Sequence, residues 1–397
     1  MHLSRLTLTN FRNYSHLEWE PHPGNNILYG GNGQGKSNLL EAIYLLSTTR
    51  SHRATHEKEL INWSAAQEDI PAARVEGEVS RRQGMLRLEM ALMGRKGEAV
   101  SSSISSTPAP DQLTGLVQKK IRLNGIPRRA TEVVGQMSVV LFTSHDIELI
   151  GGPPTLRRRY LDAVNMQIDN RYVHALLKYN RVLEQRNHLL RLIQEGSAGI
   201  DQLDFWNRQL IDNGSYIVRQ RAVLIKKLNE LAAPIHRKLT SGSEELHMTY
   251  LPNLEGIVPL AYDEAISQGF SAKLQKFQPR EVAAGISLVG PHRDDLSFRI
   301  NSTSVGTYGS RGQQRTLTLS MKLAEARFLL MQVGEPPIVL LDDVLSELDA
   351  GRRTLLLGAL GEYGQVITTA TELGPFEPTF ISSAKPFEVK DGQVIPM

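Results

Sequence analysis

Cysteine is absent from the 397 residues, which excludes a disulfide framework, a thiolate zinc site, an iron–sulfur cluster and a catalytic thiol, and suits a reducing compartment. No run approaches the roughly 20 apolar residues of a membrane span. The N-terminal stretch carries Arg5, Arg12 and Glu18 where the apolar core of a signal peptide would lie. The expectation is a cytoplasmic protein. Neither sign of charge dominates: 45 Lys and Arg against 42 Asp and Glu give a net +3, which argues neither for nor against a polyanionic partner. With 41% hydrophobic and 22% charged residues the chain is globular, and it is long enough for two or three packed lobes.

Leu6 and Leu8 alternate with Thr7 and Thr9, and Leu17 and Trp19 keep the same period of two, which predicts a pair of strands. Asn26–Tyr29 reads as a strand running into glycines, and Leu39, Leu40, Ile43 and Leu46 then recur at helical spacing. Short strand-like pieces fill 72–127 around the serine- and proline-rich SSSISSTPAP at 101–110, expected to be a mobile loop. From 155 to 239 the pattern becomes long polar-and-leucine segments, read as two long helices or as helices with one break near Asn213–Gly214. After Arg280, glycine-punctuated strands return, followed by a helix from about Gln313 to Val333 and a strand at Ile338–Leu341. There is no internal repeat. The pattern implies an α/β domain built from both chain ends with a helical lobe inserted between them, divided as 1–135, 136–280 and 281–397.

Gly30–Gly31–Asn32–Gly33–Gln34–Gly35–Lys36–Ser37 fits G-x-x-x-x-G-K-[ST] at every fixed position and lies between a predicted strand and a predicted helix. Glycines let backbone N–H groups approach phosphate oxygens, the helix N-terminus adds a positive field, Lys36 brings mobile charge and Ser37 offers a hydroxyl to Mg²⁺. The alternative, a plain glycine turn before a helix, is disfavoured by the matched strand–loop–helix context. Pro337–Asp343 supplies the second half of such a site: four apolar residues suit a parallel strand covered on both faces, and Asp342 at its end can reach the metal held by Ser37. Asp343 is then placed to act on water as a base or positioner. Ser310-Arg-Gly312-Gln313 opens the helix 313–333, again an anion-binding arrangement of orphan N–H groups and a hydroxyl.

The P-loop, the Ser310–Gln313 signature, the LLDD strand and the SELD loop together resemble the ABC-type ATPase head of the SMC and RecF class. The blocks LTNFRNY at 8–14, GGNGQGKSNLLEAIYLLSTTRSHR at 30–53, GGPPTLRRRYLD at 151–162, GPHRDDL at 290–296, YGSRGQQRTL at 308–317 and PIVLLDDVLSELD at 337–349 resemble its RecF branch in order along nearly the whole chain. The resemblance implies ATP contacts from Gly30 through Asn38, Mg²⁺ at Ser37 and Asp342, and Asp343 as catalytic carboxylate. It further implies a signature of Ser310, Gly312 and Gln313 that acts on a partner subunit's nucleotide, and a D-loop Asp349. By resemblance the function is ATP-dependent DNA binding in recombinational repair and replication-fork maintenance. An ATP-joined homodimer would clamp gaps or single-strand/duplex junctions, assist recombinase loading with RecR and RecO, serve the SOS response, and hydrolyse ATP weakly as a switch stimulated by DNA.

The sequence departs from the general ABC pattern in several places. Asp343 stands where a longer glutamate is usual, and a carboxylate one methylene back positions water less well. Thr143–Asp146 replaces a γ-phosphate-sensing glutamine, with Gln136 too early and the choice between His145 and Asp146 open; Val366–Thr371 lacks a switch histidine.

Residues 151–240 hold 15 Lys and Arg against 8 Asp and Glu, leaving 30 against 34 elsewhere. That surplus fits either phosphate-backbone binding or a solvated helix face. Arg157, Arg158 and Arg159 cannot all share one helix face, so at least one is structural. Lys119, Lys120, Arg122, Arg128 and Arg129 form a second basic group. His292 beside Arg293, Asp294 and Asp295 reads as a turn supporting the signature in preference to a metal or base site. A transporter subunit is disfavoured by the basic lobe, and a long tether by length: only 272 residues separate Ser37 from Ser310.

Overall fold

The computed structural model describes residues 1–68, 70–94, 117–254, 263–361, 363–374, 376 and 378–397. The serine-rich stretch 101–110 lies outside the described residues.

The chain divides into two compact units, Met1–Ser144 with Leu329–Met397, and His145–Phe328. In the first, an antiparallel sheet begins with the expected pair His2–Phe11 and Tyr14–Trp19, and continues through Ala72–Arg81, Gly84–Met93, Gln118–Leu123 and Ile126–Arg128. A second sheet runs in the order Gln393–Pro396, Ala384–Lys390, Asn25–Tyr29, Val366–Ala370, Ile338–Asp342, Val139–Thr143, parallel except at its first strand. The helix Lys36–Thr48 touches strands of both sheets and is apolar almost all round, so that Leu39, Leu40, Ile43 and Leu46 join Leu6, Leu8 and Val75 on one side and Val139, Leu340 and Ile367 on the other. Ile338–Leu341 are fully buried between two parallel neighbours. Their run of four apolar residues is what a strand covered on both faces requires.

The second unit holds helices at Pro154–Ile168, Asn170–Gln194, Leu203–Leu239 and Asp263–Ala284, and a small antiparallel sheet of Leu246–Leu251, Asp295–Ile300 and Thr303–Ser304. Leu203–Leu239 passes through Asn213–Gly214 without interruption. Gly214 is a packing glycine: a Cβ there would lie 2.5 Å from Cε1 of Phe270 and 3.0 Å from Cε2 of Tyr179. The unit boundaries differ from the composition-based 135/136 and 280/281 for two reasons. Val139–Thr143 is hydrogen-bonded to Ile338–Asp342 and so belongs with the sheet. Asp294 and Asp295 are tied by ion pairs to Arg221 and Arg157, which keeps the chain beyond residue 280 in the second unit. The signature at Ser310 therefore lies in the helical unit and the P-loop in the other.

Candidate nucleotide site

Parallel strands send their C-terminal ends to one edge of a sheet, where ligands of open α/β sheets bind. Register pairs Ala370 with Tyr29 and Asp342 with Thr143, so the loop after Tyr29, the Asp342–Asp343 pair and the end of Val366–Ala370 share that edge. Gly35 caps the helix at φ +109°, a left-handed value that favours glycine, and its carbonyl accepts a 3.0 Å bond from the buried Tyr14 hydroxyl. Asn13 donates to the Gln34 carbonyl at 3.1 Å and accepts from the Asn38 amide at 2.8 Å, which ties the loop to the turn between the first two strands.

Lys36 folds back over this loop. Its Nζ donates to the carbonyls of Gly30 at 2.7 Å and Gly31 at 2.8 Å, and burial lowers its pKa against the opposing pull of Asp343 and Asp342. Ser37 Oγ donates to Asp342 Oδ1 at 2.7 Å across 305 residues of sequence. A hydroxyl and a carboxylate converging in this way are hard oxygen donors of the kind Mg²⁺ takes when phosphates and water supply the other positions. Among the described residues no set of three His, Asp or Glu could form an all-protein metal cage.

Thr369, left without a role by the sequence reading, donates to the same Asp342 Oδ1 at 3.0 Å and accepts from the Asp343 N–H at 2.9 Å. It fixes both acids. Asp343 has φ +53° and an exposed side chain. Arg12 and Glu41 also escaped the sequence reading: a bidentate pair at 2.9 and 2.7 Å anchors the P-loop helix to the turn after the first strand, and Glu41, despite its burial, is held below the usual carboxylate range by Arg12 and Ser51. The signal available was LTNFRNY itself, a block whose arginine and second asparagine form the turn between two strands.

Ser310 and Gln313 form a reciprocal cap, Gln313 N–H donating to Ser310 Oγ at 3.2 Å and Ser310 N–H to Gln313 Oε1 at 3.0 Å. Gln313 Nε2 reaches Glu244 at 2.9 Å, whose other oxygen accepts from His236 at 3.0 Å, so the signature is wired to the end of Leu203–Leu239. A Cβ on Gly312 would meet nothing closer than Ser310 Oγ at 3.8 Å, so this unit does not itself demand a glycine there. Asp349 caps the helix Ala350–Leu360 by accepting from Arg352 N–H at 2.9 Å. Gln136 is taken by Arg81 at 3.2 Å, and His145 is exposed near Glu148.

His292 is pinned at both nitrogens, to the Tyr179 hydroxyl at 2.7 Å and the Ser287 carbonyl at 3.1 Å, and burial lowers its pKa to about 4. It is a neutral structural group. Arg157 is the structural member of the arginine triplet, bidentate to Asp295 at 2.5 and 3.1 Å. Lys226 and Lys227 are exposed, with Lys227 paired to Glu230 at 2.9 Å.

Residues 2–379 match the model of the RecF/RecN/SMC N-terminal domain. A DNA replication and repair protein RecF from Roseiflexus castenholzii is 41% identical over a 404-residue alignment that covers all of both chains. The chain belongs to the RecF family. Its RecF relative in Staphylococcus aureus is 38% identical, again over the full length of both. A solved structure described as the recombination mediator protein RecF-ATPrS in the RecFOR pathway superposes with a TM-score of 0.85 at 32% identity, covering all of this chain and 98% of that one. An Smc head bound to the C-winged helix domain of ScpA, at 14% identity and a TM-score of 0.52, shares the fold. The architecture is thus the ABC-type ATPase head of the RecF and SMC proteins, assembled from both chain ends with a mainly helical lobe inserted. Among the described residues no helix is long and apolar enough to cross a membrane.

Proposed function

We propose that this RecF-family chain is an ATP-dependent DNA-binding protein of recombinational repair, in which ATP joins two copies around gapped or junction DNA and RecR and RecO are partners in recombinase loading. The observation that carries the nucleotide half of the reading is the Ser37–Asp342 contact of 2.7 Å beside a lysine folded on its own loop; the DNA-repair half is supported by the full-length RecF relatives. Lys36 exchanges two carbonyls for phosphate oxygens when nucleotide enters, and the Ser37 hydroxyl and Asp342 carboxylate would hold Mg²⁺. Bound there, the metal would neutralise charge on the nucleotide's phosphates. Thr369 keeps Asp342 aimed while Asp343 positions the attacking water. Ser310, Gly312 and Gln313 of a second copy complete the site over the γ-phosphate, where the open space around Gly312 admits a close approach. Hydrolysis is a slow switch, since Asp343 is the shorter carboxylate.

Lys36→Ala tests this directly. ATP affinity should fall at least roughly a hundredfold, because a charge-assisted contact is lost from a cradle otherwise made of backbone dipoles. DNA binding should lose its response to ATP. Parent-like ATP affinity in equilibrium titration would refute the assignment.

A further inference from the structure

The blocks GGPPTLRRRYLD and GPHRDDL have no part in the nucleotide site, yet both line one pocket of about 260 Å³ inside the helical unit. The helix Pro154–Ile168 contributes Thr155, Arg158, Arg159 and Asp162, spaced so that a single face looks into it. Tyr179 and Asn180 enter from Asn170–Gln194, Arg221 from Leu203–Leu239, and Pro291 with His292 close the pocket.

Cations outnumber acids in the lining of this pocket, three arginines to one aspartate. Asp162, its one acid, already accepts from Arg221 at 2.8 Å and from the Tyr172 hydroxyl at 2.5 Å. Arg221 also pairs with the buried Asp294 at 3.1 Å. Arg158 is half-buried, and among the described residues its only hydrogen bond goes to the Asp294 carbonyl at 2.8 Å, which leaves most of its five N–H groups open. Burial, then repulsion from Arg221, presses its pKa downward and outweighs the opposing pull of Asp294, Asp295 and Asp162. Arg159 is exposed and has no acid or carbonyl partner among the described residues. His292 adds no charge: its Nε2–H is given to Ser287, and Nδ1 accepts from Tyr179.

We propose that this pocket binds one phosphate group of a nucleic-acid strand, with Arg158 and Arg159 as its donors. Two adjacent guanidinium forks facing a small, partly enclosed space match a phosphate's oxygens, and a volume below the roughly 300 Å³ at which drug-sized sites begin takes one such unit rather than a bound strand. The assignment to a strand rests on the DNA-binding reading above; the pocket's call for a phosphate-like anion does not.

Arg159→Gln, exposed and therefore safe for folding, and the double variant with Arg158→Gln should be compared with the parent by anisotropy on labelled gapped DNA with ATP, across a salt series. DNA affinity should drop roughly tenfold for the single variant, and the slope of log affinity against log salt should become shallower by about 0.9 for the phosphate lost. ATP affinity should not change. If the parent binds DNA and both variants match it in affinity and slope, the pocket is overturned while the DNA-binding reading stands. If the parent binds no DNA in any nucleotide state, that reading falls and the strand assignment with it. Phenylglyoxal labelling of Arg159 in the parent separates the two phosphate sources: protection by equimolar DNA supports the proposal, and protection by millimolar inorganic phosphate without protection by DNA overturns it.

Discussion

Asp343 holds a left-handed backbone at φ +53°, an energetic strain for most side chains that asparagine tolerates best. Asp343→Asn is therefore a clean test of the carboxylate. The fold and ATP affinity should be retained, single-turnover hydrolysis should fall by roughly 10²–10⁴, and the ATP-bound form should persist. Equal single-turnover rates would remove Asp343 from the chemistry. His292 gives a pH dependence of definite sign. Its pKa is about 4 in the fold against the ordinary 6.5, so between these values the unfolded chain binds a proton that the native one does not. Stability should fall as pH drops from 6.5 toward 4, and above 6.5 this group should have no effect. Melting temperatures over that range should decline less steeply in His292→Gln; identical slopes would show that the imidazole is not the cause. The P-loop residues were legible because eight consecutive positions carry their own geometry. Thr369 was not, because its role depends on Thr368 lying level with Leu341 in the neighbouring strand, a register that no local pattern encodes.

The uninterrupted helix Leu203–Leu239 shows how a glycine misleads. In isolation Asn213–Gly214 is a breaker, and Gly214→Ala on an exposed helix would stabilise by about 1 kcal/mol. Here the added methyl would press on Phe270, itself fully buried, and on the buried ring of Tyr179. Overpacking outweighs propensity, with typical penalties of 1–3 kcal/mol. Gly214→Ala should lower the urea midpoint; a raised midpoint would mean that the rings move aside freely. The fact that decides the sign is a phenylalanine 56 positions away, in a separate helix. By contrast the short strands of the first sheet were readable, since alternation of Leu6 and Leu8 with threonines follows from the pleat itself.

The two compact units place the P-loop in one and the signature in the other, a division hidden from composition because the charge balance shifts well before residue 328. Ser310→Arg examines the proposed use of that signature on a second copy. A bulky cation in place of a capping hydroxyl should leave ATP affinity intact while abolishing ATP-dependent doubling of mass in sedimentation. A variant that still doubles would exclude the composite site. Because Ser310 also caps its helix, a loss of about 1 kcal/mol in stability is expected alongside.

The P-loop strand Asn25–Tyr29 takes its hydrogen bonds from Val366–Ala370 on one side and Ala384–Lys390 on the other. On a ribosome working at roughly 5–20 residues per second, the first of these neighbours is made about 20–70 s after the strand itself. The helical unit, whose ends lie at residues 145 and 328, is synthesised in the meantime. The nascent chain thus carries an early, unpaired strand, with Ile27 and Leu28 still uncovered on its edges, through most of its synthesis, and the proposed ATP site can form only near its end.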